Sequence, residues 1–189
     1  MICKPKKPMR ADAARNRARV LEVAYQTFAD EGLSVPIDEI ARRAGVGAGT
    51  VYRHFPTKGD LYRAVIEDRL EVVMGAGRAC LASDAPGDAL FDFLRAMVRW
   101  GETDQGLVDA LAGLGIDVNA LVPDVEEEFL ALLGELLAVA QGAGAVRADV
   151  TPAEVKTLLV AANAAQRYNA DAADRVVGLM MDGLRPRRE

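Results

Sequence analysis

The sequence predicts an all-α protein, with three helices in its first third and a larger helical body behind them. Apolar residues recur at helical spacing through nearly every segment, and no stretch alternates apolar and polar residues as a half-buried strand does. Helix start and stop signals separate those segments. The chain has 189 residues, 51% hydrophobic and 27% charged, enough for a sizeable core in an ordinary globular protein.

Taken in order, the first helix is expected over Ala11 to Asp30, where Val20, Leu21, Ala24 and Phe28 form one stripe and Arg15, Arg17 and Arg19 fall off it; Gly32 stops it. A second runs from Ile37 to Ala44 and is closed by Gly45, and a third from Ala48 to His54. After the break "FPTKGD", Thr57 opens a long helix with Asp60 three residues on, a variant capping box, and Leu61, Val65, Ile66, Leu70 and Val73 supply its apolar face. Further helices are expected over Asp88 to Glu102, Gln105 to Leu114, Val125 to Gln141, Pro152 to Arg167 and Ala172 to Leu184. The run "TPAE" at 151–154 is a start signal, with Thr as cap, Pro in the first turn and Glu closing the box. The lysines and prolines of residues 4 to 8 read as a flexible arm. The expected division is therefore a basic arm at 1–9, a three-helix unit at 10–63 and a helical body at 64–185.

Composition removes several classes of function. Cys3 and Cys80 are the only cysteines, so neither a disulfide framework nor a paired-cysteine metal site is signalled, and no metal or cofactor is expected. No apolar run nears the roughly 20 residues of a membrane span, and "MICKPKKPMR" lacks the apolar centre of a secretory signal, so a cytoplasmic protein without a membrane partner is expected. The net charge of -5 hides an asymmetry: residues 1–63 carry 12 Lys and Arg against 7 Asp and Glu, the remainder 11 against 21. A basic unit on an acidic body suits a phosphate-bearing partner, although charge alone leaves chance asymmetry open.

"AGVGAGTVYRHFPTKGDL", residues 44–61, concentrates glycines, aromatics, bases and the one histidine. A helix-turn-helix needs a small residue where its helices cross, a glycine in a short turn and apolar anchors to a third helix. Ala41 meets the first need, Gly45 the second, and Ile40, Ala44, Val46, Val51 and Phe55 the third. Outward on the third helix stand Ala48, Gly49, Thr50, Tyr52, Arg53 and His54, small at the N-terminal end and hydrogen-bonding beyond it. A major groove about 12 Å wide admits such a helix N-terminus first, and its donors then reach phosphates or base edges. Arg42 and Arg43 complete the basic set at the end of the second helix. Lys58 adds a separate clue: a cation in a first turn opposes the helix dipole at about 0.3–1 kcal/mol, so local stability did not select it, whereas a phosphate would.

The stretch "IDEIARRAGVGAGTVYRHFPTKGDLYRAVIEDRL" resembles the DNA-binding signature of the TetR (tetracycline repressor) family, with its Ile-Ala pair, Ala-Gly-Val, Gly-Thr, Tyr-x-His-Phe and a following Lys with Leu three on. The likeness covers roughly residues 15 to 70. It implies an all-helical homodimer whose N-terminal helix-turn-helix unit binds a double-stranded operator and whose C-terminal body binds a small-molecule effector and dimerises. Carried over by position, Thr50, Tyr52, His54 and Lys58 would contact mainly phosphate, and Ala48, Gly49 and Arg53 would face base edges. Pro36 stands where the family often has a Thr or Ser cap, which removes that hydroxyl from the phosphate contacts.

The same resemblance places an effector pocket among the helices of the body, where Phe93, Met97, Trp100, Leu111, Phe129 and Asn163 are the candidates. A cavity of roughly 300 to 1,000 Å³ is expected near Met97 and Trp100, taking a largely apolar ligand. Trp100 offers apolar area and one donor, while Asn163 and Gln166 are polar within "LLVAANAAQRY" and could equally face solvent. The four alanines around them, with "VVGLMMDGL" beyond, suit a four-helix dimer interface. An enzyme is not expected: the single histidine lies inside the DNA motif, Ser34 and Ser83 have no nearby base in sequence, and Glu126, Glu127 and Glu128 read as a helix start. A ligand-independent architectural DNA-binding protein is the alternative, favoured if the body proves filled with side chains.

Overall fold

A computed structural model describes residues 9–100, 122 and 124–186. Among them the backbone forms eight helices and no strand. These are α1 (Met9–Glu31), α2 (Ile37–Arg43), α3 (Ala48–His54), α4 (Lys58–Leu81), α5 (89–100), α6 (Val125–Gly142), α7 (Pro152–Tyr168) and α8 (Ala170–Gly183). The helix expected over Gln105 to Leu114 and residues 1–8 of the expected basic arm lie outside the described residues, while Met9, the last residue of that arm, belongs to α1.

The start and stop signals act where the sequence puts them. Gly32 takes φ +77°, a conformation that glycine enters without Cβ strain, and its N–H donates to the Phe28 carbonyl at 3.1 Å to close α1. Thr57 caps α4 with the full reciprocal box: its Oγ1 accepts from the Asp60 N–H at 3.1 Å, and the Asp60 carboxylate accepts from the Thr57 N–H at 3.0 Å. Thr151 and Glu154 repeat the device at α7, with Pro152 in its first turn. Asp124, the residue ahead of α6, takes φ 69° and its side chain does not cap the helix, so three glutamates in the first turn provide the favourable charge instead.

Two cores result. The first joins Val20, Leu21, Ala24, Tyr25 and Phe28 of α1 to Ile37, Ile40 and Ala41 of α2, Val51 of α3 and Leu61, Tyr62, Val65 and Ile66 of α4. The Tyr62 ring meets Phe28 edge-on, centroids 5.0 Å apart, and its hydroxyl donates to the buried Leu33 carbonyl at 2.7 Å, fastening the α1–α2 loop to α4. The second core gathers Phe91, Phe93, Leu94 and Met97 of α5, Leu132, Leu133, Leu136 and Leu137 of α6, Val155 and Leu159 of α7 and Val177 and Met181 of α8. Helix α4 belongs to both: its first turns enter the first core, and Val73, Met74, Cys80 and Leu81 pack on the second. It crosses α6 so closely at Gly77 that a Cβ there would stand 2.5 Å from Leu132 Cδ2.

Candidate nucleic-acid interface

Helices α2 and α3 are each only 7 residues long, and neither has a side-chain cap; Pro36 and Gly47 precede them. Isolated helices of that length do not persist in water, so tertiary anchoring holds them. On α2 the anchors are Ile37, Ile40 and Ala41; on α3 the sole buried residue is Val51, followed by Phe55 at the C-cap. Gly45 makes the turn at φ +66°, with its N–H on the Arg42 carbonyl at 3.1 Å and the Val46 N–H on Ala41 at 3.0 Å. Ala41 is buried at the crossing and Val46 is half-buried, as the spacing requires.

With one side of α3 so occupied, the rest faces outward. Gly49, Tyr52, Arg53 and His54 are exposed, Tyr52 by 44%, and Ala48 and Thr50 are half-exposed. Arg53 makes no ion pair among the described residues. Lys58 opens α4 directly beyond this face, half-buried, with Nζ 6.0 Å from the Tyr62 ring, and that burial lowers its pKa from the usual lysine value. Six candidates on α3 and Lys58 at the start of α4 thus share one segment of surface.

Arg42 and Arg43 are placed differently. Arg42 binds Glu39 through two hydrogen bonds of 2.7 Å; Arg43 bonds Glu39 at 2.7 Å, reaches Glu31 on α1 and lies 3.5 Å from the buried Thr27 hydroxyl. Hydrogen bonds from Arg42 and then Arg43 hold the Glu39 carboxyl down at about 2. This network ties the second helix to the first. By sequence both arginines are expected to face DNA, and the structure adds their acidic partners; the i,i+3 and i,i+4 spacing of Glu39 to them is the local signal for that pairing, while the Glu31 contact needs the fold. Arg17 is a further basic residue at this edge of the head. It lies on the polar face of α1 with its guanidinium 5.7 Å from the Phe55 ring, beside the end of α3, a position visible only once α1 and α3 are packed.

In the body, Phe93 and Met97 are buried, and Trp100 and Phe129 are half-buried against the same core; the Phe93 and Phe129 rings lie 6.2 Å apart. Asn163 sits on α7, half-buried, and its Oδ1 is inaccessible with no hydrogen-bond partner among the described residues. Leu111 lies outside the described residues. Leu94, Val98, Leu159, Ala162, Val177 and Met181 line a small apolar cavity of about 20 Å³ between α5, α7 and α8, and neither Met97 nor Trp100 borders it. Among the described residues no helix is long and apolar enough to cross a membrane, and no group of three or more His, Cys, Asp and Glu is placed to hold a metal ion.

A compact three-helix head that turns a donor-bearing helix outward, carried on a separate helical body, defines a helix-turn-helix transcription regulator. Residues 20–65 match the profile of the bacterial regulatory proteins of the tetR family, and residues 85–186 match that of the SbtR-like transcriptional regulator C-terminal domain. The chain belongs to the TetR family of DNA-binding transcriptional regulators and is not an enzyme. It is similar to the TetR transcription regulatory protein from Mycobacterium vanbaalenii, 60% identical, with 95% of this chain and 100% of that one covered at a TM-score of 0.83. A TetR transcriptional regulator from Streptomyces coelicolor is 29% identical, with 91% and 99% covered at a TM-score of 0.77. An HTH-type transcriptional regulator of Staphylococcus aureus is 43% identical over 65 residues, which span 34% of this chain and 35% of that protein.

Proposed function

We propose that the protein is a repressor that binds a pseudo-palindromic operator as a homodimer and leaves it when a small, largely apolar effector enters the body. The observation that carries this reading is the outward face of α3, held by Val51 and Phe55 yet bearing donors that make no structural contribution to the core. Thr50, Tyr52, His54 and Lys58 take phosphate, and Arg53 reaches base edges past the small Ala48 and Gly49. Arg42 and Arg43 join them only by exchanging Glu39 for phosphate.

Two features of the body support the remainder. Asn163 Oδ1 is buried without a hydrogen-bond partner among the described residues, an arrangement that costs about 1–3 kcal/mol and that a ligand donor would relieve. It therefore joins Phe93, Met97, Trp100, Leu111 and Phe129 as the polar anchor of an otherwise apolar site. Val160 and Tyr168 on α7 and Leu179 on α8 are 60%, 92% and 64% exposed, and with the exposed Ala161 and Ala164 they form the face offered to a second copy. Effector and operator would weaken each other by the same factor.

Enrichment of duplexes from a random pool by the full-length protein tests the DNA part: paired half-sites roughly 34–36 Å apart or slightly more are expected, and a single asymmetric site refutes the symmetric dimer. A thermal-shift screen of metabolites, with hits tested for release of that duplex, tests the switch. A tight ligand that leaves DNA affinity unchanged refutes it.

A further inference from the structure

Trp100 is the only tryptophan in the chain, and it stands where the two cores meet. Helix α4 passes between them, and Arg69 lies on it after Ile66, its last buried residue in the first core, and before Val73, which packs on the second. The Arg69 guanidinium sits 4.5 Å from the ring centroid of Tyr25 on α1 and 5.6 Å from that of Trp100 on α5. Tyr25 is buried in the head; Trp100 packs on the body. A guanidinium is flat and delocalised and can stack on two rings at once, whereas the compact ammonium of lysine serves one.

We infer that Arg69 is a positioning residue that couples the DNA-reading head to the body through these two rings. Because one planar cation holds both, a movement of α1 against α5 lengthens at least one contact. Occupation of the α3 face is then registered at Trp100, and a ligand that displaces Trp100 is registered at Tyr25. The coupling rests on DNA binding by the head and holds whether or not the proposed effector site is correct.

The emission of Trp100 reads the coupling directly. The full-length protein is titrated with an unlabelled duplex enriched from a random pool, while anisotropy of the same duplex carrying a dye measures binding independently. In the unmodified protein the emission is expected to change with the midpoint found by anisotropy. Arg69→Met, which keeps length and apolar stem but loses charge and plane, is expected to bind the duplex with less than half of that emission change. Arg69→Lys, which keeps the charge, is expected to lose it likewise, whereas Arg78→Met, an exposed arginine on the same helix, keeps it in full. Circular dichroism establishes folding, and if Arg69→Met does not fold, Arg69→Lys decides by the same criterion. An unresponsive Trp100 in the unmodified protein, a full response in the folded Arg69 variants, or an equal loss in Arg78→Met overturns the inference. Failure of both folded Arg69 variants to bind DNA also overturns it, by placing Arg69 in the DNA contact itself.

Discussion

Gly75 and Gly77, two positions apart on α4, set helix propensity against packing. A Cβ built on Gly77 would lie 2.5 Å from Cδ2, 2.9 Å from Cδ1 and 3.0 Å from Cγ of Leu132. Carbon atoms rest at about 3.5–4.0 Å, so Gly77→Ala requires the α4–α6 crossing to open by about 1 Å or Leu132 to leave its rotamer. Leu132 is buried in the second core, and overpacking of this kind destabilises by about 1–3 kcal/mol. Alanine over glycine in a helix returns about 0.8–1 kcal/mol. Gly75→Ala collects that gain without the clash, because Gly75 is exposed and nothing lies within 4 Å of its Cβ. The two substitutions should therefore differ by about 1–3 kcal/mol, with Gly77→Ala melting about 2–12 °C below Gly75→Ala in a chain of this size. The assay is thermal and urea unfolding followed by circular dichroism at one protein concentration, since assembly shifts the midpoint. Leu132→Ala alone should cost about 2–5 kcal/mol, yet on that background Gly77→Ala should become as favourable as Gly75→Ala. Equal effects of the two glycine substitutions in the unmodified chain would show that the crossing tolerates a methyl group and would refute the packing argument.

Lys58→Ala is expected to weaken all duplexes alike and to lower the salt slope by about one, whereas Arg53→Ala should cost about 1–3 kcal/mol at particular base pairs; titration against enriched and random duplexes at several salt concentrations separates the two. The Glu39 carboxyl is held at about 2 in the fold against 4.5 otherwise, so its contribution is present above pH 4.5 and is lost as pH falls toward 2. Glu39→Gln should accordingly flatten the rise of urea midpoints with pH inside that window, and an unchanged slope would contradict the role given to Arg42 and Arg43. Val160→Glu, on the exposed face of α7, is expected to leave a folded chain that sediments as monomer; a persistent dimer would move the interface elsewhere.

How much was readable in the sequence depends on how local each cause is. The boundaries of α3 and the caps of α4 and α7 follow from neighbouring residues, Gly47 to Phe55, Thr57 with Asp60 and Thr151 with Glu154, and the sequence reading placed them correctly. The first helix extends two residues before its expected start at Ala11, and the last begins two before Ala172, directly after Asn169, whose residue type is itself a helix-start signal. What was illegible is what different helices do to each other. Arg43 resembles any solvated arginine until α1 brings Glu31 to it, and Arg69 looks like an interruption of the apolar face of α4 until Tyr25 and Trp100 are set on either side. Asn163 was recognised as out of place among alanines, but its buried oxygen depends on how α7 packs.

The division between structural and DNA-facing residues in the head has an energetic origin. Helix α3, with no side-chain cap and glycine at its second position, contributes little of its own stability; burial of Val51 and Phe55, each able to supply about 1.5–3 kcal/mol, fixes it against α1 and α2. The outward positions are thereby released from any duty to stabilise the helix, and they carry residues that a helix would not choose, Gly49, Thr50 and His54. The same release operates at the start of α4. Thr57 and Asp60 satisfy the helix end reciprocally, with the Asp60 carboxyl held low by the Thr57 hydroxyl and N–H, and this allows Lys58 to stand against the dipole between them. Removing the cap should expose that dependence: Thr57→Ala is expected to destabilise the fold by about 0.5–2 kcal/mol and, by loosening the first turn, to weaken binding of every duplex as Lys58→Ala does. Restoring the cap with Thr57→Ser should recover both unfolding midpoint and affinity together, and recovery of stability without affinity would mean that the Thr57 methyl group, rather than the position of Lys58, matters to DNA.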